Sequence, residues 1–450
     1  MPTKPCFDGV RVYLFAYIWA FTGLENVSIV THIYIYICTG KIYMFSTGTH
    51  QHLVVHEAEL IKELKLHKSL DLGTPSYLSK AVEPMLGNGI IKANGQHWSF
   101  QKKLIAPEFF LHKVKGIAGL MEECTMAMIS TWERRLGESS RLGGAAAAAE
   151  FMVDQDLRGL SADIISRYCF GSSFSQGKNI FAKLANLQEA LSHQSLVFGL
   201  PNFRCKSIIV YKLIDKTDPE KHYNADFFPR RAIERYGDSE LHQDKRKIER
   251  FIVDSCKNIY FAGYETTALS ASWTLMLLAL HPQWQQRVQA EIIETGSLDN
   301  LDKLNQLKTL SMVIQESLRL YAPPVMLVRE AFEDIKLGDF QLPKGVHVWS
   351  FIPELHRDPD NWGPDVGEFK PERFAGGISE ACKYPQAYVP FGYGTRMCIG
   401  QTFAMLELKI VLSLLLSRFS FSMSPNYRHS PVYKMFVMPQ YGMRLIVKGV

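Results

Sequence analysis

The chain has 450 residues, 47% of them hydrophobic and 21% charged, with a net charge of +5. That length buries a sizeable core, and the mild charge, with no long basic run, argues against nucleic acid as a partner. Its eight cysteines form no CxxC pair, which fits reduced thiols rather than a disulfide scaffold.

In chain order, residues 12–22 (VYLFAYIWAFT) are strongly apolar, and VSIVTHIYIYIC alternates like a strand at Ile33, Ile35 and Ile37. Neither stretch reaches the roughly 18 apolar residues of a spanning helix, so residues 1–40 read as an atypical segment, either an interfacial anchor or a buried strand. From Lys41, KIYMF and HLVV are expected to be strands joined by Ser46-Thr47-Gly48-Thr49, and EAELIKELKLH a helix. A Gly- and Pro-rich loop leads to GQHWSFQKKLIAPEFF, with Trp98 near the start of a helical stretch. Helical periodicity dominates from 117 to 200, and GGAAAAA at 143–149 reads as a surface loop or helix start. Residues 201–250 are charged and Pro-interrupted, with no clear element. Helices are expected over 250–280, 283–295, 308–321 and 400–418, with strand-like alternation over 324–355. With no dividing linker or repeat, the expected fold is mainly α with small β-sheets in a single large domain.

Three stretches carry chemistry. In FAGYETTALSASW, Gly263 costs a helix interior roughly 1 kcal/mol relative to Ala. A small-residue helix crossing would explain Ala262 and Gly263, but not an acid and a hydroxyl beside them. Bare backbone also lets a flat group approach, with Glu265 and Thr266 placed to pass protons. In QESLRLYAPP, Glu316 and Arg319 stand at i and i+3 and can pair, and Arg373 in PERF is a candidate third partner. In PFGYGTRMCIG, Gly392 and Gly394 permit tight turns, and Gly400 permits close packing at the next helix. Cys398 precedes that helix, whose dipole, with Arg396, would favour a thiolate. Such a thiolate suits a nucleophile, a redox thiol or a metal ligand. A cysteine hydrolase has no local signature here, and His50, His52 and His56 lack a recognised zinc spacing. A haem iron needs only one thiolate, with cations for its propionates and a flat pocket.

AGxETT at 262–267, ExxR at 316–319, PERF at 371–374 and FxxGxRxCxG at 391–400 together resemble the cytochrome P450 superfamily of haem-thiolate monooxygenases, from about residue 41 to the end. The resemblance implies a catalytic domain at 41–450 in which Cys398 is the axial ligand of haem iron. Phe391, Gly392 and Gly400 would shape the ligand loop. Arg396, Arg329, Trp98, His356 and Lys102 would contact the haem propionates. Glu265 and Thr266 would deliver the protons that oxygen activation consumes. Glu316, Arg319 and Arg373 would form a structural salt-bridge set. Substrate would be lined by the loop near 78–92, the helix at 258–266 and residues 325–328.

The resemblance also implies O2 and a small hydrophobic substrate. Electrons would come from a separate NADPH-cytochrome reductase, because no Gly-rich nucleotide fingerprint follows a strand. The implied setting is the cytosolic face of the endoplasmic reticulum membrane. The wording of GNGIIKANGQHWSFQKKLIAPEFF and VIQESLRLY is similar to a plant branch that includes gibberellin-oxidising enzymes, implying hydroxylation or epoxidation of a diterpenoid acid. Three features depart from the family pattern. Residues 1–40 supply no full anchor, Pro-rich hinge and first helix. Residues 201–250 look shortened where the family builds the substrate roof. Lys102 stands where an Arg normally follows the Trp. The alternative these departures leave is a haem-binding relative without turnover.

Overall fold

The computed structural model describes residues 33–47, 50–68, 70–141, 148–170, 245–296 and 301–450. The expectations for residues 1–32 and 171–244, including most of the substrate roof, lie outside these residues.

β1 (Ile33–Thr39), β2 (Ile42–Thr47) and β3 (His50–Val55) form an antiparallel meander, so the alternation at Ile33, Ile35 and Ile37 is a strand. α1 (Ala58–Leu66) buries Leu60, Ile61 and Leu64 on one face. β4 (Leu72–Gly73) then leads to α2 (Ser76–Leu86), a helix where the Gly- and Pro-rich composition suggested a loop. Pro75 precedes its first turn, where no donor is lost, and Gly87 ends it at φ 61°. α3 (Gly95–Ile105) carries Trp98.

α4 (Ala118–Arg141) and α5 (Val153–Phe170) are separated by β5 (Ala148–Met152), so the end of the GGAAAAA stretch, read as a surface loop or helix start, is a strand. β5 takes Ala148 and Ala149 into a ladder, so pairing with a distant strand overrides alanine's helix propensity. α6 (Lys245–Leu280) is 36 residues long, about 54 Å at the standard rise. α7 (Pro282–Thr295) and α8 (Lys308–Leu320) follow.

The region 324–355 resolves into β6 (Met326–Ala331), β7 (Ile335–Leu337), β8 (Phe340–Leu342) and β9 (His347–Phe351). The chain turns helical at Ile352–His356, where strand was expected. α9 (Gln401–Arg418) is buried on nearly every side, and β10 (Phe419–Met423), β11 (Pro431–Lys434), β12 (Phe436–Pro439) and β13 (Arg444–Gly449) close the chain.

The larger sheet runs β1-β2-β3-β9-β6-β4 and a second runs β10-β13-β5. The main core gathers Trp132 of α4, Trp273 and Leu278 of α6, and Leu412 and Leu415 of α9, all with zero exposure. The fold is thus mainly helical with small sheets, and α6 passes through its centre.

The larger sheet buries two histidines face to face. His52 of β3 and His347 of β9 are register partners, and their Nδ1 atoms lie 3.3 Å apart. Burial first, then the neighbouring imidazoles of His347 and His50, hold His52 down to about 3. Burial holds His347 down to about 4, against the opposing pull of Glu330. Both pKa values lie below the unfolded value, so the unfolded chain binds more protons in acid. The stability from keeping both rings neutral is present above about pH 6.5 and is lost as pH falls toward the folded values. Denaturant midpoints should therefore fall between about pH 7 and 5, by up to about 1.4 kcal/mol per pH unit for each histidine. Midpoints that stay flat over that range would contradict this.

Candidate active site

α8 places Glu316 and Arg319 one turn apart on a face that is wholly buried. Arg319 Nε donates to Glu316 Oε2 at 2.6 Å and its Nη2 donates to Oε1 at 2.8 Å, with both side chains at 0% exposure. The remaining Arg319 donors reach the carbonyls of His356, Val366 and Glu368. Every guanidinium N–H therefore has an acceptor. Glu316 also accepts from the Lys370 amide, and Arg373 Nε lies 3.5 Å from its Oε1. Arg373 further donates to the carbonyls of Trp362 and Asp365 and pairs with the Asp365 carboxylate.

The glycine-rich loop is folded by its own backbone. Gly392 N–H donates to Val389 O, Met397 N–H to Gly394 O, and Cys398 N–H to Phe391 O at 2.9 Å. Gly392 and Gly394 adopt φ of 76° and 67°, as the turn reading required. At Gly394 an added Cβ would also lie 2.9 Å from Leu64 O. Gly400 behaves differently: a Cβ there would meet Cys398 Sγ at an ordinary 3.9 Å, so close packing is not its constraint.

This loop opens onto a cavity of about 440 Å³, which the exposed surface of Cys398 faces. Ala262, Gly263 and Thr266 of α6 line it, as do Trp98, Arg329 and Arg396. Ile91, Ile259, Phe261, Leu327 and Phe436 make the wall strongly apolar. Among the described residues no histidine or carboxylate lines it, so none of them stands as a general base beside Cys398. Among the described residues, no cluster of histidine, cysteine and acidic side chains suits a metal ion.

Electrostatics sharpen this picture. Cys398 is open to the cavity, yet the protein around it desolvates the sulfur, and that desolvation raises its thiol above its ordinary value against the opposing hydrogen bond from the Gly400 amide. The dipole argument from sequence is thus outweighed by desolvation, and α9 begins only at Gln401. A thiolate here calls for a bound metal, whose charge deprotonates a coordinating thiol outright. Arg396 is pulled down to about 9 by burial and then by the neighbouring Arg329, itself lowered by burial. Arg396 donates to Thr74 Oγ1, Ala93 O and Asn94 Oδ1, and its guanidinium sits 4.6 Å from the Trp98 ring centroid. Among the described residues neither arginine pairs with a carboxylate. Two guanidiniums without counter-charge, one thiol and an apolar wall fit a flat dianionic group with a sulfur axial ligand: the donor set of haem.

Cys398, Phe391, Gly392, Gly400, Arg396, Arg329, Trp98 and Thr266 all meet at this cavity. Three expected residues do not line it. His356 is fully buried, its Nδ1 on Arg319 O and its Nε2 accepting from the Val389 amide, so no ring nitrogen is left for a propionate. Lys102 turns its Nζ to Thr395 O, bracing the cysteine loop. Glu265 is held by Arg158, with Nε to Oε1 at 2.8 Å. Gly263 answers its open question: a Cβ there would stand 2.9 Å from Ile165, so the α5–α6 crossing demands the glycine. Thr74, Asn94 and Phe436 join the site from segments with no local sequence signal.

The cytochrome P450 family model matches residues 17–447 of this chain. Cytochrome P450 714A2 of Arabidopsis thaliana is 44% identical over 429 residues, covering 90% of this chain and 81% of that protein. Cytochrome P450 714C2 of Oryza sativa subsp. japonica is 44% identical over 433 residues, covering 91% and 80%. Cytochrome P450 714B3 of Zea mays is 40% identical over 428 residues, covering 91% and 78%.

Arg319→Ala leaves the Glu316 carboxylate buried without its bidentate partner, at a cost of about 3–5 kcal/mol. The variant should fail to accumulate as folded, haem-loaded protein. Normal yield and an unchanged melting temperature would contradict the structural role of the pair.

Proposed function

The chain belongs to the cytochrome P450 family, whose members are haem-thiolate monooxygenases, and on that footing we propose that it inserts one oxygen atom from O2 into a gibberellin-type diterpenoid acid. The observation that carries this reading is the meeting, in one apolar cavity, of the Cys398 thiol with two guanidiniums that pair with no carboxylate among the described residues. When bound, haem supplies an iron that activates dioxygen, and a cysteine thiolate ligand favours O–O cleavage.

The chain's own residues then divide the work. Cys398 presents its sulfur from a loop held by the Phe391 carbonyl. Arg396, fixed by Thr74, Asn94 and the Trp98 ring, and Arg329 would hold the haem carboxylates. Thr266 Oγ1 donates to Ala262 O at 2.7 Å within α6, leaving its lone pairs to accept from water at the cavity surface. That arrangement suits a hydroxyl that holds and passes protons to the reaction centre. Phe261, Leu327 and Phe436 exclude bulk water and gather a hydrocarbon skeleton.

The diterpenoid class rests on this apolar wall, on the plant relatives, and on the sequence wording shared with gibberellin-oxidising enzymes. Electrons enter from a separate NADPH reductase at the cytosolic face of the endoplasmic reticulum, a setting that rests on family resemblance. Among the described residues no helix is long and apolar enough to cross a membrane.

Incubation of the haem-loaded chain with a plant reductase, NADPH, isotopically heavy O2 and gibberellin precursors tests the proposal. A product carrying one heavy oxygen supports it, and oxidation of other terpenoids alone overturns the substrate class. Bound haem with no turnover on any substrate favours the inactive relative. Thr266→Ala should keep haem but divert most reducing equivalents to hydrogen peroxide; full coupling would refute its role. Arg396→Leu should speed haem loss at least roughly tenfold, the effect of one charge-assisted hydrogen bond, when haem transfer to a scavenger protein is followed. An unchanged rate would contradict the carboxylate contact.

A further inference from the structure

α5 grips α6 at two points around the turn that brings Thr266 to the cavity. Arg158 and Ile165 are seven residues apart and share one face of α5. Ile165 packs where a Cβ on Gly263 would lie, 2.9 Å away, so the two helices meet with no slack. Two residues on, Arg158 Nε donates to Glu265 Oε1 at 2.8 Å, and the Glu265 side chain is only 5% exposed. Arg158 is itself anchored: its Nη1 donates to Asp154 Oδ2 at 2.9 Å. Asp154 Oδ1 in turn accepts from the Met443 amide at 2.8 Å, tying the group to the chain just before β13. Burial lowers the Arg158 pKa, but the charges of Glu265 and Asp154 outweigh it, so the guanidinium stays cationic.

We propose that Arg158 is a positioning residue for oxygen activation. Through Glu265 it fixes the turn Ala262–Thr266 so that the Thr266 hydroxyl stays at the cavity. Glu265 is then the anchor of the turn rather than a proton carrier, because its carboxylate is engaged by Arg158 and does not line the cavity. This inference rests on the proposed role of Thr266, and Thr266→Ala serves as the control for that role alone.

The test compares haem-loaded Arg158→Met, Glu265→Gln and their double variant by hydrogen exchange and by turnover. Exchange at the amides of 262–267 should rise at least roughly tenfold in each single variant, since a charged hydrogen bond no longer holds the turn. Peroxide leakage should rise to a similar extent in both, with no further rise in the double variant. The solvent isotope effect on product formation should stay at the wild-type value. A coupled Arg158→Met beside a leaking Glu265→Gln with an enlarged solvent isotope effect would overturn the proposal, because it would make Glu265 the carrier. Unchanged exchange in both variants would overturn it as well. If Arg158→Met does not accumulate, Arg158→Lys, which keeps the charge but loses the fork, makes the same comparison with Glu265→Gln. Should Thr266→Ala prove fully coupled, the reading of Thr266 fails, while the exchange result still decides whether Arg158 holds the turn.

Discussion

The Glu316–Arg319 pair sits at zero exposure, and the geometry of the haem site hangs from it. Two charges out of water are a net cost unless every donor and lone pair is met, and here all five guanidinium N–H groups are. The pair reaches the cysteine loop through one histidine. Arg319 O accepts from His356 Nδ1–H, His356 Nε2 accepts from the Val389 amide, and Val389 O accepts from Gly392. Because Nε2 accepts, the proton stands on Nδ1 and the ring is neutral, in accord with burial pushing its pKa down to about 3. An ion pair on α8 thereby sets the conformation of the loop that carries Cys398.

Among the described residues, no carboxylate balances the two guanidiniums at the cavity that this loop reaches. Burial depresses Arg396 and Arg329 and raises Cys398, so each group is strained toward its neutral form. A ligand with two carboxylates and a metal relieves all three at once.

The reading from sequence succeeded where chemistry is concentrated in short spans. Gly392 and Gly394 at their turns and Glu316 with Arg319 each contain their own geometry, so their spacing reports their structure. Other expected site residues have protein partners of their own outside the cavity lining. His356 bonds Arg319 O and the Val389 amide, Lys102 donates to Thr395 O, and Glu265 Oε1 accepts from Arg158. Nothing local announces Arg158, because its partner lies 107 residues away. The fold shows the same division. Amphipathic α1, α7 and α8 were legible from their periodicity. β5 was not, because an edge strand of alanines depends on a partner nearly 300 residues distant.

The most direct measurement of the central claim is a carbon monoxide difference spectrum of the expressed chain after dithionite reduction. Ligation by the Cys398 thiolate predicts a strongly red-shifted Soret band that disappears in Cys398→Ala. A Soret band at the ordinary, less shifted position in the wild type, or a red-shifted band that survives in Cys398→Ala, would contradict it.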